Sequence, residues 1–422
     1  MRKKIRASLE ALQHPDEEHR ELAVDEIRDL ARKGLNSEEI SAVIRAASSD
    51  LPPASFEWQS LDSQLLRATW GLAAAEHVPL LKDQYSKLTE RGRTAALTSL
   101  SRIAEAQAVE AFIGLLREHG WPEESFPAMI SAFEEDCPYP EILIPALIDR
   151  SISGLPDEVR DSLLLAYGMA DKLSPEQIDR ARPSTITVAE SLVPKLIEVQ
   201  RPRGTSWRDE DSYVYLREQA GLTFDLLGHL GRDECSVAVL RDAEQCIDPH
   251  PRMFAILSLL RLGEEPTREA LAAVAGDSET RGTLLEELER LHRVELFPGQ
   301  ELDQEKIAES ALVEWLSHPM ELGRPPHSIE LMETAELETE EDSGIFVVYY
   351  VFRFRVKRPL FRKSRWFAGI AGPYLKHEIP TTHAHGHTFS RFEPWESRTA
   401  AEHLETTCHF VNRSLREQGL LE

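Results

Sequence analysis

The sequence predicts a mainly helical fold, a solenoid of paired helices followed by a small α+β domain, on three observations. Apolar residues recur at helical spacing almost without interruption from Arg2 to about Pro319, broken by short turns of Pro, Gly, Asp and Ser. Within that region the stretches 96–116 and 255–275 align without a gap at an offset of 159 residues. After Pro325-Pro326 the helical spacing gives way to strand-like alternation. The chain of 422 residues is therefore expected to divide into a helical part, 1–325, and an α+β part, 326–422.

The aligned pair matches Ala96 with Ala255, Ser99 with Ser258, Leu100 with Leu259, Arg102 with Arg261, Glu105 with Glu264, Glu110 with Glu269 and Ala111 with Ala270. Their offset is about four units of a ~40-residue repeat. A small-apolar first helix, a tight polar turn and a second helix with an apolar face resemble the HEAT repeat, in particular the short HEAT-like repeats of phycobilisome-lyase type found in many bacterial proteins. The resemblance implies stacked helical hairpins, none of which can bury its apolar face alone. It carries no reaction with it, because a fold does not imply a function. DNA glycosylases also use HEAT-like folds, but they line a concave surface with Lys and Arg, whereas this helical region is acidic.

Taken in order, Glu21–Leu35 places Leu22, Ile27, Leu30 and Leu35 near helical spacing, and Ser37-Glu-Glu-Ile40 opens the next helix. Polar breaks at Asp50–Pro53 and Gly120–Glu124 separate further pairs. About seventeen helices, or eight antiparallel pairs, are expected before residue 320. The segment 201–212, polar and carrying Trp207, interrupts the rhythm and is expected to be a spacer rather than a binding loop. Leu284–Leu296, with Leu285, Leu288, Leu291 and Leu296, and Ile307–Trp315 read as the last helices.

In the α+β part, Ile345–Val356 is dense in β-branched and aromatic residues, with Phe346, Val348, Tyr350, Phe352, Phe354 and Val356 on a core face. The opposite face becomes wet toward Arg353. Ile329–Leu337 is its expected partner, joined through Glu340–Gly344, and Trp366–Ile370 and Thr388–Phe392 supply two more strands, with Gly372-Pro373 closing the first of these. Sequential pairing yields a four-stranded antiparallel sheet. A helix from about Ala400, opened by a Thr399/Glu402 capping box, carries Leu404, Cys408, Val411 and Leu415 as a stripe to cover it. The runs Trp315–Leu331 and Trp366–Tyr374 resemble the tail of bacterial HEAT-repeat proteins in which repeats and a sheet domain occur together.

Composition narrows the partners. With 48 Lys and Arg against 73 Asp and Glu, the net charge of −25 disfavours nucleic acid and anionic lipid. Four cysteines, Cys137, Cys235, Cys246 and Cys408, lack CxxC spacing and are expected to be buried free thiols. No run of about 18 apolar residues occurs and Ala7–Glu18 is no apolar signal core, so the expected compartment is the cytoplasm.

Two constellations could carry chemistry. His377, His383, His385 and His387 crowd one loop, and His383, His385 and His387 could present alternating imidazoles to a metal. The preferred reading is a solvated loop, because the nearest carboxylate is Glu378 and no second ligand cluster stands at motif spacing. Seven cations, Arg353, Arg355, Lys357, Arg358, Arg362, Lys363 and Arg365, interleave with Phe354, Phe361 and Trp366, while Glu330–Asp342 holds seven acids. Pairing of the two stretches as a hairpin would neutralise both; the cations are otherwise the candidates for contact with a partner. No catalytic triad, phosphate-binding loop or cofactor motif is present at meaningful spacing. The sequence therefore points to a non-enzymatic scaffold that binds another protein, basic in character, on an acidic surface, with no cofactor. A bacterial immunity or antitoxin-like protein sheathing a basic toxin is one alternative, and a metal-dependent enzyme using the His377–His387 loop is the other.

Overall fold

The computed structural model describes the chain except residues 53–59, 123–132, 134–138, 151–154, 201–207, 209, 319–320, 339–343, 357–364, 377–387 and 418–422. Helices come first: α1 (Lys3–Ala11), α2 (Glu17–Arg32), α3 (Ser37–Ala47), α4 (Leu61–Ala68), α5 (Val78–Gln84), α6 (Glu90–Ser101), α7 (Ala106–His119), α8 (Pro140–Ile148), α9 (Asp157–Met169), α10 (Pro175–Gln200), α11 (Asp211–His229), α12 (Glu234–Ala243), α13 (Pro249–Arg261), α14 (Arg268–Ala275), α15 (Arg281–Arg290) and α16 (Gln304–Ser317). The strands β1 (Ser328–Glu338), β2 (Phe346–Arg355), β3 (Trp366–Leu375) and β4 (Thr388–Pro394) follow, and α17 (Ala400–Glu417) ends the described chain. The expected class, mainly helical with a terminal four-stranded antiparallel sheet and a last helix, is the observed one. Among the described residues no helix is long and apolar enough to cross a membrane.

Two compact units divide the chain, Met1–Val188 with His229–Gly231, and Ala189–Gly228 with Arg232–Glu422. The change from helix to strand expected near residue 325 falls between α16 and β1, and the sheet lies in the same compact unit as the helices from Arg232 onward.

Short polar residues start these helices by accepting the free amides of the first turn. Asp16 caps α2, Asn36 closes a capping box with Glu39 on α3, Thr89 caps α6, Asp248 caps α13 and Thr267 caps α14. Between the caps, apolar residues at three- and four-residue spacing turn inward, as Val24, Ile27 and Ala31 do on α2. Leu22 lies one position off that stripe and is 62% exposed, against the expectation. The helix expected over 284–296 ends at Arg290, with His292 at φ 55°. Leu291 and Leu296 nevertheless pack on the core formed by α13, α14 and α15.

Both aligned stretches are helical hairpins, α6–α7 and α13–α14, and the small and apolar matched positions have matched environments. Ala96 and Ala255, Ser99 and Ser258, Leu100 and Leu259, and Ala111 and Ala270 are all buried. The need for a small residue is explicit at Ser258, whose hydroxyl donates to the Phe224 carbonyl at 2.7 Å. A Cβ on Gly228 would stand 2.7 Å from Ser258 Oγ and 2.9 Å from the Ser258 backbone, so α11 and α13 meet there with only the small Ser258 side chain between them.

Side-chain hydrogen bonds tie successive hairpins together. In the first unit they join Arg2 to Glu39, Arg28 to Gln64, Ser37 to His77, Ser48 to Gln84 and Tyr139 to Ala104, over separations of 35 to 40 residues. In the second they join Phe224 to Ser258, Asp225 to Arg261, Tyr213 to Asp248 and Ser278 to Ser310, over 32 to 36 residues.

The sheet runs in the order β1-β2-β3-β4 with every pair antiparallel. Val348, Tyr350, Phe352 and Phe354 form one buried face, which packs on Ala308, Leu312 and Leu316 of α16. Val351 and Ile370 face the other way and meet Leu404 and Cys408 of α17. The Thr399/Glu402 capping box is present, with Thr399 Oγ1 accepting from Glu402 N and Glu402 Oε2 accepting from Thr399 N at 2.8 Å; the side chains of Val411 and Leu415 lie outside the description. Gly372-Pro373 falls inside β3 rather than at its end, at a register shift opposite Val348 and Tyr350. Gly372 has φ +133° and a Cβ there would meet the Val348 carbonyl at 2.8 Å, so a bulge at a glycine accommodates the pair.

Leu312 is the expected weak point: it is fully buried, and a Cβ on Gly369 would lie 2.7 Å from its Cδ2. Leu312→Ala is expected to cost about 2–5 kcal/mol, measured by urea unfolding of the full chain. Truncation after residue 325 uncovers Ala308, Leu312 and Leu316 and should lower solubility, read by size-exclusion chromatography; a monodisperse monomer would contradict the shared core.

Candidate functional site

Of the seven cations flagged by sequence, the structure describes Arg353, Arg355 and Arg365; Lys357, Arg358, Arg362 and Lys363 lie outside the described residues. The strand period places Arg353 and Arg355 on one face of β2, and the β2–β3 register sets Trp366 directly opposite Arg355. Both guanidinium groups lie over the Trp366 ring, with Cζ 4.4 Å and 4.9 Å from its centroid. Each cation gains from the negative ring face, and the stacking holds two positive charges side by side. Arg365, the residue before β3, is exposed.

The expected neutralisation across the hairpin is present in part. Glu330 pairs with Arg353 in the β1–β2 register, and its Oε2 accepts from Arg353 Nε at 2.9 Å and Nη2 at 2.5 Å. Glu336 pairs instead with Lys376, the residue after β3, at 2.5 Å. Arg355 donates to Ser328 Oγ at 3.1 Å, and among the described residues no carboxylate stands within ion-pair distance of it. A half-neutralised Arg-Trp-Arg face can accept a carboxylate or another planar anion.

His377, His383, His385 and His387 lie outside the described residues. Of the cysteines, Cys246 is buried and Cys408 half-buried, but Cys235, expected inside, is exposed near the start of α12; Cys137 is outside the description.

A polar network in the second unit went unsignalled by sequence. The Tyr213 hydroxyl donates to Asp248 Oδ2 at 2.7 Å and accepts from Gln200 Nε2 at 3.0 Å, while Gln200 Oε1 accepts from Ile247 N at 2.7 Å. Arg217, one turn along α11 from Tyr213, lies 3.9 Å from the same Asp248 oxygen and pairs with Glu279 from the turn before α15. Burial, with Asp248 beside it, pushes the Tyr213 phenol well above its ordinary value. Burial pulls Arg217 down, but Glu279 and Asp248 outweigh it and keep the guanidinium charged. Next to them, burial and the Arg217 charge bring the His250 imidazole down to about 3, and burial pushes the Cys246 thiol up to about 12. At neutral pH this leaves a neutral imidazole, a protonated thiol and a saturated phenol, which suits a brace between hairpin turns better than a nucleophile and base. Its members come from the end of α10, the first turns of α11 and the turns before α13 and α15, so no local spacing announces them.

No family model matches this chain, and a search of curated proteins returns no match.

Tyr213→Phe removes the hydroxyl shared by Asp248 and Gln200 and is expected to destabilise the chain by about 1–3 kcal/mol in urea unfolding. His250 binds its proton in the unfolded chain near 6.5 and in the folded one only near 3. The unfolded state therefore gains protons first, and stability is lost as pH falls from about 6.5 toward 3. Urea midpoints at pH 7 and pH 5 should show that loss, and His250→Gln should flatten it.

Proposed function

We propose that this chain is a non-catalytic interaction protein of HEAT-like type, which holds a partner protein along stacked helical hairpins and makes a second contact through its terminal sheet. The observation that carries the reading is the set of hydrogen bonds joining residues 32 to 40 positions apart through each unit, the spacing expected when one hairpin rests on the next. Stacks of this kind present long rows of side chains, and the net charge of −25 favours a basic partner on them. The Arg353–Trp366–Arg355 face offers the opposite sign, so that one partner with separated basic and acidic surfaces would be held in a single orientation. The hydrogen-bonded Tyr213 phenol and the unprotonated His250 imidazole of the buried network are in keeping with a role other than catalysis.

Affinity capture from the native cell, followed by mixing of the purified components, tests the proposal. A stoichiometric complex is expected that weakens as salt rises from about 50 mM to about 500 mM, because exposed charges are screened. Arg355→Glu should weaken it further at low salt, with circular dichroism confirming that the variant is folded. Failure to reconstitute any complex from purified components would count against an interaction role.

A further inference from the structure

The turn between α1 and α2 reads His14-Pro-Asp-Glu-Glu-His19, and folding brings its two imidazoles and the Asp16 carboxylate together. One potential ligand atom from each of His14, Asp16 and His19 lies within 4.8 Å of the other two. The His14 and His19 rings stack with centroids 4.3 Å apart. His19 Nδ1 is 2.5 Å from Asp16 Oδ2, and His14 Nδ1 accepts from Asp16 N at 3.1 Å.

The backbone under this cluster is held from the protein side. Arg20, 5% exposed, donates through Nη1 to the carbonyls of His14 at 2.8 Å and Pro15 at 2.9 Å. Pro15 restricts its own φ between the two ligand-bearing residues. Ordering the turn is thus already accomplished by folding. The side chains keep freedom: His19 is 60% exposed and Asp16 50%.

We propose that His14, Asp16 and His19 form a binding site for a borderline divalent transition-metal ion, of which Zn2+ is the representative. Two imidazoles and one carboxylate are the donors such an ion prefers, whereas Mg2+ and Ca2+ favour oxygen alone. Bonds of about 2.0–2.2 Å to three protein atoms leave a position for water, as in open zinc sites. The ion takes the place of the contact between His19 Nδ1 and Asp16 Oδ2, binding a neutral imidazole whose hydrogen is carried on Nε2, and the exposed rings close the remaining distance by rotation. Asp16, with Glu17 and Glu18 after it, offsets the positive end of α2, which by itself disfavours a cation. The His19 hydrogen bond holds the Asp16 carboxyl below its usual range, so it is ionised and available at neutral pH. Because imidazoles must be unprotonated to ligate, occupancy falls as the solution is acidified.

Isothermal titration of Zn2+ into the untagged, chelator-treated full chain tests the site, with circular dichroism confirming that each variant is folded. One saturable equivalent is expected. His14→Ala and His19→Ala should each weaken it at least about tenfold, and Asp16→Asn, which keeps a good helix cap, by about tenfold. The triple variant His383→Ala, His385→Ala, His387→Ala should bind as the wild type does. Absence of saturable binding overturns the proposal. So does binding that survives His14→Ala with His19→Ala, or that the triple variant abolishes.

Discussion

The second unit depends on one helix being apolar on two sides. Ile307 of α16 belongs to the core that α13, α14 and α15 build, while Ala308, Leu312 and Leu316 enter the core under Phe352 and Phe354 of the sheet. Each large apolar side chain so buried contributes about 1.5–3 kcal/mol. Neither the helical hairpins nor the sheet would keep that contribution without the other. The change from helix to strand therefore falls inside one compact unit, in which α16 serves both cores. Gly369 completes the arrangement by leaving room on β3 for Leu312.

Polar contacts set the order in which hairpins stack. Apolar faces made of Ala, Leu and Val fit one another in several ways, and burial alone selects weakly among them. A buried Tyr213 that must meet Asp248, and an Arg217 that must meet Glu279, select strongly, since a slip would leave these groups desolvated and unpaired. In the first unit Glu39, wholly buried, plays the same part with Arg2, whose guanidinium holds its carboxyl down to about 2. Hydrophobic periodicity makes the helices; these pairs keep them in register.

The sheet face shows how the same charges serve folding and contact. Glu330 neutralises Arg353 across the β1–β2 ladder, which keeps an edge strand rich in acids attached to a strand ending in bases. The Arg355 guanidinium is left on Trp366, donating to Ser328 Oγ. Opposed charge runs predicted the pairing. Trp366 as the platform under both arginines was not predicted as such, because it depends on the β2–β3 register, which a bulge at Gly372 adjusts.

What the sequence determined by itself is local: where helices start, from Asp, Asn and Thr caps, which faces turn inward, from periods of 3.6 and 2, and that four strands pair in order. The capping box at Thr399, the core face of β2 from Val348 to Phe354 and the two matched hairpins were legible because each rests on residues within a turn or a strand of one another, whereas Phe346, expected on that face, is 40% exposed at the start of β2. The His14–Asp16–His19 cluster was equally local, though its meaning lay in a bend and a stack that spacing does not specify. Tertiary structure alone decided the double burial of α16, the limits of the compact units and the meeting of Tyr213, Arg217, Asp248 and Glu279. Those contacts join residues tens of positions apart, and side chains so separated meet only where the packing of whole helices brings them.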